Sequence, residues 1–210
     1  MITDTIIAAA LTAGVVFSSP DNAALALNKS YLATENRILA SESLDLSKRH
    51  PVKAINDGFK ENILINLNYL QKLGEDGIII LFPNEVFAFH KNLLPEFKSQ
   101  KIITQESGFM RKDGYKTVAG LQGNGVCHLA SLMKWVAVEA GLEVTSPVNH
   151  DFAPVPGIDR QYGVSIYFLE KGGSVSERQN LYIKNIKDYP IYFHFSLEGE
   201  NLKFSIEKAS

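Results

Sequence analysis

The chain has 210 residues, of which 45% are hydrophobic and 21% are charged, a composition that suits one soluble globular domain with a sizeable core. The net charge of -2 leaves no basic excess for a phosphate backbone, which disfavours nucleic acid as a partner. The single cysteine, Cys127, excludes an internal disulfide. No Cys/His cluster has the spacing of a structural zinc site, and we expect no cofactor.

The first fifty residues are predicted to be a helical segment that precedes a main domain over residues 51–210. Residues 5–19 form a mostly apolar run that is too short to span a bilayer comfortably. A site resembling a signal-peptidase site follows it, but Asp4 and the lack of a basic side chain before the run are untypical of a signal peptide. Two interpretations stay open: a secretory or anchor-like segment, or an alanine-rich helix packed on the domain. Apolar spacing predicts further amphipathic helix over residues 20–50.

The main domain begins with a predicted helix and continues with strands. Phe59, Ile63, Leu67 and Leu70 recur at helical spacing, and Gly74 marks the helix end. Short strands are then predicted at residues 77–82 and 85–94, followed by a long loop over residues 103–125.

A buried helix is predicted from Asn124, its expected N-cap, to Ala140. Its inward-facing residues are Leu129, Leu132, Met133, Val136 and Ala140. Further strands are predicted at residues 142–146, 162–170, 179–186, 189–199 and 201–208, the last two joined as a hairpin. The order of these elements predicts an α+β fold, with N-terminal helices, one buried helix starting near Cys127, and a mainly antiparallel sheet with C-terminal strands.

Cys127 has two interpretations. At the start of a helix its thiolate is favoured by unpaired N–H groups and by the helix dipole, and Gly123 and Gly125 leave space for a substrate. Cysteine hydrolases bring a histidine to such a thiol from a later segment, and His150 is the candidate, oriented by Asp151 or Asp159. The alternative is that Cys127 is a small apolar residue of the core.

Several motifs resemble the VanW-like domain. They are GNGVCHLAS at residues 123–131 with AGLEV after it, PNEVFAFHK at 83–91, DGYKTVAGL at 113–121, NHDFAPVPGID at 149–159 and LYIKNIKDYPIYFHF at 181–195. They occur in the order of the family and extend over about residues 55–208. The resemblance carries over Cys127, Ser131, His150, Gly157 and Asp159 as motif positions. His128 departs from the family pattern, which has glutamine there.

The resemblance implies a cellular location and a class of partner, but it does not imply a reaction. The family is named from a glycopeptide (vancomycin) resistance gene cluster and accompanies peptidoglycan-binding domains, so it implies an extracytoplasmic or cell-envelope location and wall peptide or glycan fragments as partners. A membrane contact is expected only through the N-terminal segment.

Three functions remain open. The first is a Cys/His amide hydrolase or transpeptidase-like enzyme, with Cys127, His150 and Asp159 as catalytic residues. Its expected substrate-binding residues are Gly123, Gly125, His128, Ser131 and Gly157. The second is a non-catalytic module that binds cell-wall fragments. The third, a metal site around Cys127, ranks last because adjacent Cys and His residues rarely bind one ion together.

Overall fold

A computed structural model describes residues 37–118 and 120–209. The predictions for residues 1–36, including the apolar run at 5–19, lie outside the described residues. Among the described residues, no helix is both long enough and apolar enough to cross a membrane.

The first described element is a strand, β1 (Ile38–Asp45), so the prediction of helix over this part of residues 20–50 is wrong. β1 pairs antiparallel with the C-terminal strand, which places it in the main sheet although it precedes the predicted boundary at residue 50. Leu44 and Leu46 are buried in the core. Pairing with a distant strand, which local spacing does not reveal, overrides the helical pattern.

Two helices carry the predicted apolar stripes. Helix α1 (Lys53–Gln71) buries Ile63, Leu67 and Leu70. Helix α2 (Val126–Glu139) packs on β1 and on α1. The five predicted inward-facing residues of this helix, from Leu129 to Ala140, are all buried. A third, short helix, α3, spans Ser174–Arg178.

The remaining strands form two four-stranded sheets and a small hairpin. They are β2 (Ile79–Leu81), β3 (Val86–Ala88), β4 (Ile102–Thr104), β5 (Thr117–Val118), β6 (Leu121–Gln122), β7 (Glu143–Thr145), β8 (Tyr182–Lys184), β9 (Ile191–Glu198) and β10 (Asn201–Lys208). One sheet has the order β1-β10-β9-β2, the other β4-β3-β8-β7, and β5 pairs with β6. All pairs are antiparallel except β3 with β4. The predicted α+β fold is confirmed.

The strand predicted at residues 162–170 is absent. The N–H groups of this segment bond to partners in several parts of the chain: Ser165 to the carbonyl of Val148, Ile166 to the thiol of Cys127, and Tyr167 to the carbonyl of Gln179. The N–H groups of Val164 and Leu169 bond to the hydroxyls of Ser131 and Ser176. No single neighbouring strand supplies these acceptors, so a ladder does not form. The segment instead lies along the start of α2.

Candidate functional site

The start of α2 is held by a glycine turn. Gly123 and Gly125 have φ angles of 69° and 105°, a region that favours glycine. A Cβ atom on Gly125 would lie 2.6 Å from the carbonyl oxygen of Phe59 on α1. The space beside Gly125 is therefore occupied by the backbone of the chain itself rather than left open for a substrate.

The predicted N-cap at Asn124 is wrong. Gly125 occupies the cap position and provides no side-chain bond to the helix. The amide of Asn124 donates to the carbonyl of Val118, and its own carbonyl accepts from the amide of Asn62. Asn124 thus anchors the turn to β5 and α1, and the first turn of the helix has no side-chain cap.

A cavity of about 680 Å³ lies at this helix start. Its walls come from seven parts of the chain: residues 49–50, Phe59, residues 108–110, residues 123–128, His150 with residues 152–154, residues 165–170, and Gln179. Five of the predicted site residues line it, namely Gly123, Gly125, Cys127, His128 and His150. The fold thus brings together residues that are far apart in the sequence.

The Cys127 thiol lines this cavity, but it is not activated as the nucleophile interpretation requires. The residue is half-buried. Burial raises the pKa of the Cys127 thiol to about 11, and a hydrogen bond from the N–H of Ile166 only partly offsets this. That N–H lies 3.4 Å from the sulfur, and the thiol donates weakly to the Ile166 carbonyl at 3.8 Å. Among the described residues, the thiol has no hydrogen bond to an imidazole.

The backbone N–H of Cys127 interacts with the sulfur of its own side chain and forms no bond within the described part of the backbone. The N–H groups of Val126, His128 and Leu129 bond to carbonyls of the glycine turn. The N–H of Cys127 has no carbonyl acceptor among the described residues. An unpaired N–H in the first turn of a helix is a donor for an oxygen of a ligand.

Two histidines lie side by side at the cavity wall. The ring centroids of His128 and His150 are 6.0 Å apart. His150 Nδ1 lies 2.8 Å from the carbonyl of Ala153, and since a carbonyl only accepts, this nitrogen carries the proton. In the neutral ring of His150, Nε2 then has the lone pair.

The His128 ring is 4% exposed and has no hydrogen bond to its buried Nδ1 among the described residues. Burial lowers the pKa of His128 to about 3, with smaller contributions from the positive charges of Arg49, His150 and His50. The ring is therefore neutral at physiological pH. A buried ring nitrogen without a partner is unusual, because its desolvation is not compensated.

Comparison with known proteins gives a family. A family model described as VanW like protein matches residues 61–207. The chain belongs to the VanW-like family. The predicted resemblance is confirmed, and the match includes α2 with Cys127 and the loop with His150. No curated protein and no solved structure matches the chain.

Three motif positions of this VanW-like chain do not face the 680 Å³ cavity. The Ser131 hydroxyl, fully buried, donates to the carbonyl of Cys127 at 2.7 Å and accepts from the N–H of Val164 at 3.0 Å, so it joins the helix to the neighbouring segment. Gly157 is exposed in a turn with a φ of 79°. Asp159 accepts the N–H of Gln161 and lines a separate cavity of about 310 Å³.

The predicted orienting carboxylate is also missing. His150 Nδ1 is held by the Ala153 carbonyl rather than by an aspartate, and the carboxylate of Asp151 lies 3.3 Å from the guanidinium of Arg160. Both aspartates are exposed. Among the described residues, no group of three His, Cys, Asp or Glu side chains could hold a metal ion.

The VanW-like site also contains cavity-lining residues that no pattern in the sequence indicates. Arg49, His50 and Phe59 line the cavity, together with Phe109 and Phe168 from two later segments. Arg49 and His50 precede Pro51 in a stretch whose pattern indicates only a connection. No local signal singles them out, because the fold alone brings them next to α2.

Proposed function

We propose that this VanW-like domain is a non-catalytic module that binds a cell-wall fragment, a glycan or a short peptide, in the 680 Å³ cavity. The observation that carries the proposal is this cavity itself, which has the size of a small-molecule site and joins aromatic walls to a few polar groups. The cell-wall setting comes from the family resemblance.

A continuous row of rings forms one wall of the cavity. The ring centroids are separated by 5.9 Å from His50 to Phe59, 5.3 Å from Phe59 to His128, 6.0 Å from His128 to His150, and 4.0 Å from His150 to Phe152. Rings packed in this way are rigid and lose little entropy when they contact a ligand. Their faces suit the C–H groups of a sugar ring or the side chains of a peptide.

Phe152 is the solvent-exposed end of this row of rings. Its side chain is 75% exposed although it is large and apolar. Exposed aromatic groups beside a cavity are typical of binding surfaces. This ring is therefore a suitable position for a test, because its removal leaves the core intact.

The test is a titration of soluble peptidoglycan fragments, followed by amide chemical shifts in NMR. We expect the shifts to concentrate around the cavity and the affinity to fall about tenfold or more in Phe152→Ala. Phe82→Ala is the matched control, since Phe82 is 49% exposed and does not line the cavity. Binding that both variants weaken equally, or shifts that avoid the cavity, would contradict the proposal.

Cys127 supports a second candidate, the Cys/His amide hydrolase or transpeptidase-like enzyme. Three features favour it: the thiol and His150 line one cavity, His150 Nε2 has a free lone pair when the ring is neutral, and the N–H of Cys127 is available to an oxyanion. Against it stands the thiol pKa of about 11, which leaves about one thiolate in ten thousand at pH 7.

The two candidates differ in how the thiol reacts. For the binding module we expect alkylation of Cys127 by iodoacetamide at pH 7 to be on the order of a hundredfold slower than for a free thiol, with no product from wall fragments. Faster alkylation than the free thiol, together with turnover that Cys127→Ala abolishes, would select the enzyme instead.

A further inference from the structure

We propose that the ligand enters the cavity with an anionic oxygen group, a carboxylate or a phosphate, that binds the guanidinium of Arg49. This inference rests on the proposed binding function and adds the charge of the ligand. It is carried by a buried cation at the wall of the cavity that forms no direct ion pair with a described carboxylate.

Arg49 is only 3% exposed and lines the cavity. Its Nε donates to the carbonyl of Asp45 at 2.7 Å and its Nη1 to the carbonyl of Pro156 at 2.9 Å. Its Nη2 has no hydrogen bond with a described residue. No carboxylate of the described residues lies within ion-pair distance of it: the charge of Asp45 acts on the guanidinium only from a distance, and the Asp45 carboxylate binds Lys48. A buried cation without a counterion is costly, and an anionic ligand would remove this cost.

The other side chains at the cavity leave this charge uncompensated. Arg49 and Glu170 are the two lining residues with a full charge at neutral pH. Glu170 is exposed and already forms an ion pair with Lys112. The cavity therefore has an excess positive charge at Arg49.

Further donors line the same cavity. His50 Nδ1 accepts the N–H of Val52 at 3.0 Å, so Nε2 carries the proton of the neutral ring. The N–H of Cys127 has no carbonyl acceptor among the described residues and belongs to the first turn of a 14-residue helix, where the dipole favours an anion. His128 adds a buried ring nitrogen without a partner. The guanidinium of Arg49, the Nε2–H of His50 and the N–H of Cys127 are donors to an oxygen anion, and His128 joins them in the tautomer that has the proton on Nδ1. Charge-assisted bonds to such an anion are the strong ones.

The experiment compares, on the unmodified protein, two ligands of nearly equal shape, one with an anionic and one with a neutral terminal group. N-acetyl-alanyl-alanine carries a terminal carboxylate, and its C-terminal amide is neutral. We expect the acid to bind about tenfold or more tightly than the amide and to shift the ring nitrogen resonances of His128. Inorganic phosphate is titrated separately, and a response of the same resonances to phosphate alone would assign a phosphate group in place of a carboxylate.

Variants of Arg49 test whether its guanidinium causes the preference for the acid over the amide. Arg49→Gln removes it and is expected to bring the ratio between acid and amide close to one, whereas Arg49→Lys keeps part of the preference. Lys203→Gln is the control, since Lys203 is exposed on β10 and away from the cavity. If Arg49→Gln does not fold, the comparison of the acid with the amide on the unmodified protein still tests the anion site.

The outcomes separate this inference from the proposed function. Wall fragments that bind in the cavity, combined with equal responses to acid and amide and none to phosphate, would overturn the anion site and leave the binding module standing. The absence of any binding in the cavity, wall fragments included, would overturn both.

Discussion

The neutral His128 predicts a steep loss of stability in mild acid. Its pKa is lowered from 6.5 to about 3 in the folded protein, because burial and neighbouring positive charge disfavour the imidazolium. The unfolded chain takes up a proton near pH 6.5 and the folded chain does not. The stabilising contribution is therefore complete above pH 6.5 and is lost as the pH falls toward 3.

The size of the effect follows from these two values. Between pH 7 and pH 5 the free energy of unfolding should fall by about 2 kcal/mol through His128. His90, which is fully buried, has its pKa lowered by burial from 6.5 to about 4 and adds about 2 kcal/mol more. The wild-type protein should thus lose about 4 kcal/mol from histidines over this range, and His128→Gln only about 2 kcal/mol.

Urea unfolding at pH 7 and pH 5, followed by the fluorescence of the single tryptophan, Trp135, measures the difference. Cationic buffers keep carboxylates and phosphates out of the cavity. His194→Gln, on an exposed position of β9, serves as the control and should retain the full loss of about 4 kcal/mol. If His128→Gln loses as much stability as the wild type between the two pH values, the reasoning about the buried neutral ring is refuted.

Two further predictions concern the turn that positions α2. Gly125→Ala should lower the free energy of unfolding by more than about 2 kcal/mol, because its Cβ would meet the Phe59 carbonyl. Gly173→Ala, at a similar φ of 115° but in open space, is the control measured by the same urea unfolding, and equal losses would contradict the steric argument. Asn62→Ala should cost about 2 to 3 kcal/mol, since this buried amide bonds the carbonyl of Asn124 in the turn and both the carbonyl and the N–H of Lys116 before β5. Hydrogen exchange at the N–H of Lys116, which Asn62 accepts at 2.7 Å, should accelerate, and an unchanged rate would count against the role of Asn62.

Periodic segments of the chain were predictable. The stripes of α1 and α2 follow from helical spacing, and the hairpin of β9 and β10 follows from alternating apolar residues around Gly199. Predictions failed where the structure depends on distant partners. These places are β1, which pairs with a strand over 150 residues away, and residues 162–170, whose donors find acceptors in several different segments.

The candidate site likewise has features that the sequence predicts and features that depend on the tertiary structure. The sequence by itself determined the α+β class, the helix that begins near Cys127, and the family motifs, because these depend on local spacing and on short runs of residues. Only the tertiary structure decided that the thiol is bonded to the Ile166 peptide, that Asp159 does not line the cavity of Cys127, and that Arg49 is buried beside the helix start. Burial and the identity of hydrogen-bond partners depend on which distant segments meet, and these two quantities set the charge state of each group in the cavity.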